Sequence, residues 1–567
     1  MLARAARHAA KDRLALVSAQ GERWSYGDLL DRSGAVARGL REVGVADASS
    51  TVAFLTPESP AYVAAQWGIW RAGGVAVPLC TKHPADELAY VLSDSGARTV
   101  VGHSDFEAKI RPLAEEAGLM YLPYEELAAT GSSGDDDLSD LEVAADRPAH
   151  VLYTSGTTGR PKGVLHTHGS LDAQITDLTT SWEWSANDRI LHFLPLHHAH
   201  GIVNKLCCAL HAGAAVEFSG GFDAARVWER LMVQGDAANG APRRSWRKRS
   251  DEAPITLLMA VPTVYAKLIE EFDHRLGGSE QARARRGAEA LRLMVSGSAA
   301  LPISMLRRWK EITGHTLLER YGMTEFGMAL SNPLAMDARR AGYVGAPLPS
   351  VEARIVRAPE EGEGPEEVVC GAGEAGELRV RGANLFSEYL NKPDATAAEF
   401  DAEGWFKTGD VAAFDVFGDA SGDASGAASG AAGASADEGE RCYKILGRAS
   451  VDIIKSGGYK ISALDVERQL LEHPNIVEAV VVGVENETYG QRVGCFVRTR
   501  GTKPDGSAGR PLDAATLNAW MKSHLAPYAV PSVDITRFVD DIPKNQMGKV
   551  NKKALAPLLL EAKVEEA

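Results

Sequence analysis

The chain has 567 residues, a formal charge of −15 and 45% apolar residues. That length exceeds what one hydrophobic core serves, so at least two domains are expected. The acidity argues against a nucleic-acid partner, and no apolar run is long enough to span a bilayer. The six cysteines (Cys80, Cys207, Cys208, Cys370, Cys442 and Cys495) lack CxxC spacing, which suits a reducing compartment and offers no metal or disulfide framework.

In chain order, residues 1–11 carry the Arg/Ala bias of an organelle transit peptide, but the segment is short and Asp12 follows. It reads equally as the basic first turns of a helix. Trp24 and Ser25 end a strand and lead into a helix to about Val43, capped by Ser25 or Asp28. A strand over 51–55, an apolar helix over 61–73 and a strand over 74–79 follow. This alternation predicts βαβ units around a mostly parallel sheet. Residues 135–140 read as an acidic linker. Residues 190–196 form a strand entering a His-rich turn, His197-His198-Ala199-His200-Gly201. The polar stretch 233–252, with Arg243, Arg244, Arg247, Lys248 and Arg249, reads as a surface insertion. A strand over 255–261 and a helix over 262–272 come next. A strand then turns sharply at Gly297, before a helix over 302–313 with Pro302 near its first turn. From about 342, short strands with frequent Gly and Pro predict a smaller β-rich subdomain. Residues 418–440 are almost entirely Gly, Ala, Ser, Asp and Glu, expected as a disordered extension of a hairpin tip. Beyond Val451 the pattern is α+β. The expected fold class is therefore α/β: a large unit over 1–448 and a small mobile unit over 449–567.

The stretch from Tyr153 to Val164 places Thr154, Ser155, Gly156, Thr157, Thr158 and Gly159 before Arg160-Pro161-Lys162-Gly163. Glycines admit close backbone approach, hydroxyls and N–H groups donate, and cations offset phosphate charge. It is not a Walker A loop, because Pro161 stands where the second glycine belongs and Gly163 where Ser or Thr belongs. A Gly/Ser/Thr surface turn is the plain alternative. Five more segments accompany it: Arg320-Tyr321-Gly322-Met323-Thr324-Glu325, Phe406-Lys407-Thr408-Gly409-Asp410, Gly447-Arg448, Ile453 to Lys460, and Asn545-Gln546-Met547-Gly548-Lys549.

Their order and wording resemble the adenylate-forming superfamily of acyl-CoA synthetases, luciferases and adenylation domains, over nearly the whole chain. The resemblance implies ATP and CoA as co-substrates with Mg²⁺. Thr154–Lys162 would cover the β- and γ-phosphates, with Tyr321 stacked on adenine and Gly297-Ser298-Ala299 opposite. Gly322 and Met323 continue that wall. Thr324 would meet the α-phosphate, and Glu325, with Thr154, would hold the metal. Asp410 and Arg448 would bind the ribose. Lys549 would reach the reacting atoms from the small unit. A pivot near 448–450 would bring Lys455, Gly457, Gly458 and Tyr459 forward for the thioester step.

The acid is read from Arg320, where many relatives that take alkyl or aryl acids carry a small residue. A cation there suits a substrate with a second carboxylate; pairing with Glu319 or with solvent is the alternative. His198, His200 and Ser296 or Ser298 would complete the pocket. The surrounding segments look like malonyl-CoA synthetases of the eukaryotic, often mitochondrial type. They imply a soluble enzyme making malonyl-CoA from malonate, with methylmalonate as a second substrate, acting as a monomer or homodimer. The departures are His197 where Phe is common, the 418–440 insertion and the short leader, which keeps a cytoplasmic location open. A synthetase for another short acid and a non-catalytic nucleotide-binding relative are the other readings.

Overall fold

The computed structural model describes residues 1–47, 50–129, 141–154, 160–238, 253–358, 367–417, 440–500, 512–544 and 550–561. The expected linker, most of the expected insertions, Ser155 to Gly159 and Lys549 lie outside them.

Among the described residues the strands form four sheets. One has the order Glu388–Tyr389, Gly163–Thr167, Pro148–Tyr153, Val75–Pro78, Thr51–Leu55, Thr99–Gly102 and Met120–Pro123. Its five strands from Pro148–Tyr153 onward run parallel, and its first pairs are antiparallel. A nine-stranded sheet has a parallel centre through Leu318–Met323, Leu293–Ser296, Leu257–Ala260, Arg189–His192 and Ala215–Phe218. The third sheet is antiparallel and spans Val351–Arg357, Gly376–Gly382, Phe406–Phe417 and Glu440–Arg448, with Val368–Val369 at its edge. The fourth lies after residue 452, built on the long hairpin Ile476–Asn486 and Gly490–Thr499.

Local chemistry accounts for several elements. Helix Tyr26–Glu42 begins with a reciprocal cap: Ser25 Oγ accepts from the Asp28 N–H, and the Asp28 carboxylate accepts from the Ser25 N–H. Both proposed caps act together. Helix Pro60–Ala72 is buried on every face, as a helix apolar all round must be. Leu2–Ala9 is helical, with Leu2 and Ala5 buried.

Two expectations are corrected. The polar stretch from 233 begins inside helix Ala224–Ala238, not in an insertion. Gly235 and Gly287 let this helix cross Gly278–Glu289 with almost no gap, and the Gln234 amide donates to the Gly287 carbonyl at 2.6 Å. The His-rich turn continues as a π-helix, His200–Cys207, and the strand before it stops at His192, short of Pro195.

Gly287→Ala gains about 1 kcal/mol of helix propensity. A Cβ there would lie 1.9 Å from the Leu231 carbonyl oxygen, and overpacking costs about 1–3 kcal/mol. A lower melting temperature is expected; an unchanged one would contradict the close crossing.

Candidate active site

Strand Leu318–Met323 organises the site because alternate residues face opposite ways. Tyr321 points toward the antiparallel sheet, where its hydroxyl donates to Asp410 Oδ2 at 2.6 Å. Arg448 is the register partner of Asp410 across Phe406–Phe417 and Glu440–Arg448, and its Nε donates to Oδ1 at 2.9 Å. Its Nη2 lies 3.9 Å from Met323 Sδ. Tyr321, Met323, Asp410 and Arg448, scattered over 128 positions, are thus one cluster. Gly322 belongs to the tight hairpin with Gly327–Ser331; a Cβ there would strike the Gly327 carbonyl.

At the hairpin end, Glu325 is buried and accepts from the Tyr389 hydroxyl at 2.8 Å. Burial pushes its carboxyl above the usual range, opposed by that bond and by the charges of Arg448 and Lys162. His166 Nε2–H donates to the Thr324 carbonyl at 2.8 Å, and burial holds His166 down at about 4, in the neutral form. The phosphate-type loop emerges between antiparallel strands Pro148–Tyr153 and Gly163–Thr167. It is pinched at its base, where the Thr154 N–H donates to the Lys162 carbonyl at 3.0 Å and the Lys162 N–H to Thr154 Oγ1 at 3.1 Å. The Lys162 ammonium sits 3.9 Å over the Tyr389 ring and 3.3 Å from Glu399. Tyr389 therefore links loop and hairpin, a role without any motif in the sequence to signal it.

On the other face, Arg320 is 3% exposed, and its one described hydrogen bond is a long one to Ser298 Oγ, 3.4 Å. Among the described residues no carboxylate pairs with it. Loss of water pulls its guanidinium down to about 10, which leaves it charged at neutral pH. Glu319 faces away, accepting from the Gly342 N–H at 3.2 Å. Glu319 is therefore not its partner in this structure. Gly297 is what makes room, since a Cβ there would lie 2.5 Å from the guanidinium carbon, and Ser298 takes a left-handed φ of 70° to bring its hydroxyl round. Ala299 follows at the exposed rim.

Ser296 Oγ and both ring nitrogens of His200 are buried without a hydrogen-bond partner among the described residues. Burial and the charge of Arg320 hold His200 far below its ordinary pKa. His198 lies two residues earlier, its ring against His197. One face of the π-helix adds two groups that sequence reasoning missed. Asn204 is fully buried with its amide unpartnered, and Lys205 donates to the Met259 carbonyl at 3.1 Å, its ammonium pulled down to about 7 by burial. Asn204, four residues on, would share a face with His200 in any helix, but only the wider π winding, rarely forecast from sequence, brings Lys205 round to that side.

Lys455, Gly457, Gly458 and Tyr459 form a two-residue hairpin with both glycines at positive φ; Tyr459 stacks on Tyr528 at 4.0 Å. These contacts stay within the small sheet and do not reach the Tyr321 cluster. The tail leading from Lys549 is tethered by Lys552, which pairs with Asp452 and Glu467 at 2.5 and 2.7 Å.

The chain matches the family model "AMP-binding enzyme" over residues 2–390 and "AMP-binding enzyme C-terminal domain" over 465–549. It is 44% identical over 565 residues to a mouse (Mus musculus) protein named malonate–CoA ligase ACSF3, mitochondrial, covering 96% of this chain and 88% of the relative. Among solved structures it is similar to ATP-bound MatB from Rhodopseudomonas palustris, at TM-score 0.78 and 30% identity over 98% of both chains. It is also similar to a malonyl-CoA ligase in a ternary product complex with methylmalonyl-CoA and AMP, at TM-score 0.59 and 33% identity, covering 94% of this chain and 97% of that one.

The Tyr389 bond favours the ionised form of Glu325, so Tyr389→Phe should raise the Glu325 pKa and leave less carboxylate at a given pH. A hydrogen bond to a charged group is worth about 1.5–3 kcal/mol, or about one to two pH units. The acidic limb of the pH profile for AMP formation is expected to move up by that amount. A limb that stays in place would remove Tyr389 from this role.

Proposed function

The chain belongs to the AMP-binding enzyme family and is an ATP-dependent CoA ligase, and from that premise we propose how it selects malonate and divides the reaction between its two units. Malonate, ATP and CoA give malonyl-CoA, AMP and pyrophosphate. The observation that carries the acid assignment is the buried Arg320 guanidinium without a carboxylate partner among the described residues. A buried charge left alone is costly, so the second carboxylate of the substrate completes the ion pair. Neutral His200, with Ser296 and Ser298, supplies hydrogen bonds around it, and His198 lines the approach. A monocarboxylic acid would leave the guanidinium unpaired, the kind of mismatch that discriminates strongly. Methylmalonate differs by one methyl group, worth about 1–3 kcal/mol at most, and is the second substrate.

In the first half-reaction the reacting carboxylate oxygen bonds to the α-phosphorus as the bond to pyrophosphate breaks. Two anions meet, so catalysis is mostly positioning and charge stabilisation. Asp410 and Arg448 hold the ribose, Tyr321, Gly322 and Met323 with Gly297–Ala299 frame the adenine, and Thr324 meets the α-phosphate. Ser155 to Gly159 and Lys162 cover the leaving pyrophosphate. Glu325 is a buried oxygen donor whose ionised form lacks full compensation, and this suits Mg²⁺ held by one carboxylate together with Thr154 and substrate phosphates. That ion would neutralise phosphate charge.

In the second half-reaction the CoA sulfur bonds to the acyl carbon and AMP leaves. The small unit, from residue 449, pivots near 448–450, withdrawing Lys549 and advancing Lys455–Tyr459. The mouse relative is named mitochondrial, and this protein is assigned to the mitochondrion on that resemblance.

Arg320→Ala is expected to lose most malonate-dependent AMP formation while ATP binding changes little. A variant that keeps the native preference for malonate over acetate and butyrate would overturn the assignment. Lys549→Ala is expected to abolish adenylation but to convert pre-made malonyl-adenylate to thioester. Equal loss of both half-reactions would take the lysine out of that role.

A further inference from the structure

A second group of ligating side chains lies outside the Glu325 site. Cys80 follows strand Val75–Pro78, and His83 stands just before helix Ala85–Asp94. His197 arrives from the turn after Arg189–His192, over a hundred residues away. One ligand atom of each lies within 4.8 Å of those of the others. The His83 and His197 rings meet edge to face with centroids 5.7 Å apart. Cys80 is buried, whereas the His83 side chain is 27% exposed and gives the cluster an opening to solvent.

We propose that Cys80, His83 and His197 bind a zinc-type divalent cation, at a site separate from the magnesium position at Glu325. One thiolate with two imidazoles is a three-protein-ligand set for tetrahedral zinc, leaving the fourth position to water. The same donors select against Mg²⁺, which prefers oxygen. Bond lengths of about 2.0–2.3 Å put tetrahedral ligand atoms roughly 3.3–3.8 Å apart, so binding draws the three groups in from within 4.8 Å. The Glu87 carboxylate lies 3.2 Å from His83 Nδ1, the carboxylate–imidazole contact that orients a ligating ring and raises its basicity.

Burial keeps both imidazoles below their ordinary pKa, so their lone pairs are free at neutral pH. Burial also raises the Cys80 thiol. Binding therefore forms the sulfur–metal bond as the thiol proton leaves to solvent. Lys82 and Lys109, whose ammonium donates to the Thr81 carbonyl at 2.8 Å, oppose a bound cation; Glu87 and the thiolate favour it. His198, against His197, and Glu58, beside Lys82, are further titratable neighbours. An ion here ties the His197–His200 turn to the sheet containing Val75–Pro78. Through that turn it would alter the KM for malonate, a consequence that rests on the substrate assignment above.

The test uses full-length, metal-stripped protein titrated with Zn²⁺ and, spectroscopically, with Co²⁺. One ion per chain is expected, with a thiolate-to-cobalt charge-transfer band and proton release. Cys80→Ser, His83→Gln and His197→Phe should each weaken binding by at least the roughly tenfold that losing a mere supporting contact costs. Melting curves of each variant separate this from misfolding. Native-like Zn²⁺ affinity in folded Cys80→Ser and His83→Gln, or a cobalt complex without a thiolate band, overturns the site whether or not malonate is the acid.

Discussion

A guanidinium with no carboxylate beside it, sealed below the surface, is the constraint around which the acyl side of this enzyme is arranged. Arg320 fits there because Gly297 leaves space, Ser298 in a left-handed backbone conformation brings its hydroxyl round, and Ser296 and His200 keep buried polar atoms without other partners among the described residues. Each of these features costs stability on its own. Together they leave a buried cation ringed by unpartnered polar atoms, the arrangement on which the proposed dicarboxylate reading rests.

One strand couples this pocket to the nucleotide. The two-residue period that turns Arg320 toward Ser298 turns Tyr321 toward Asp410 and Arg448. One strand thus sets the proposed acid and nucleotide sides next to each other. Glu325 then marks the strand's end, its carboxylate held up in pKa by burial and balanced by Tyr389, Arg448 and Lys162. Arg448 also stands at the start of the proposed pivot. Its backbone N–H donates to the Asp452 carboxylate at 3.0 Å, and the other Asp452 oxygen pairs with Lys552. The tail carrying Lys549 and the ribose-side arginine thus share one aspartate.

Much of the architecture was legible because period and punctuation are local. The βαβ alternation, the Ser25/Asp28 cap and the Phe406–Phe417 and Glu440–Arg448 hairpin follow from hydrophobic spacing and turn residues. The failures also have physical reasons. Residues 233–238 of the polar run belong to a helix, which Gly235 and Gly287 let pack closely against Gly278–Glu289. The His-rich turn winds as a π-helix, and no residue pattern specifies that. Tyr389 lies in a two-residue edge strand with no motif around it, and Cys80 and His83 meet His197 only because turns from two different sheets come together.

The chemistry-bearing residues were set by the sequence itself: a Gly/Ser/Thr loop ending in Lys162, the Arg320–Glu325 run, Asp410, Arg448 and Lys549, in an order that names the reaction. Whether Arg320 is a surface cation paired with Glu319 or a buried charge without a carboxylate beside it among the described residues was beyond its reach. That difference is one of solvation, which depends on what the other strands and the His200–Cys207 helix exclude from around the guanidinium. Only the tertiary structure decided it.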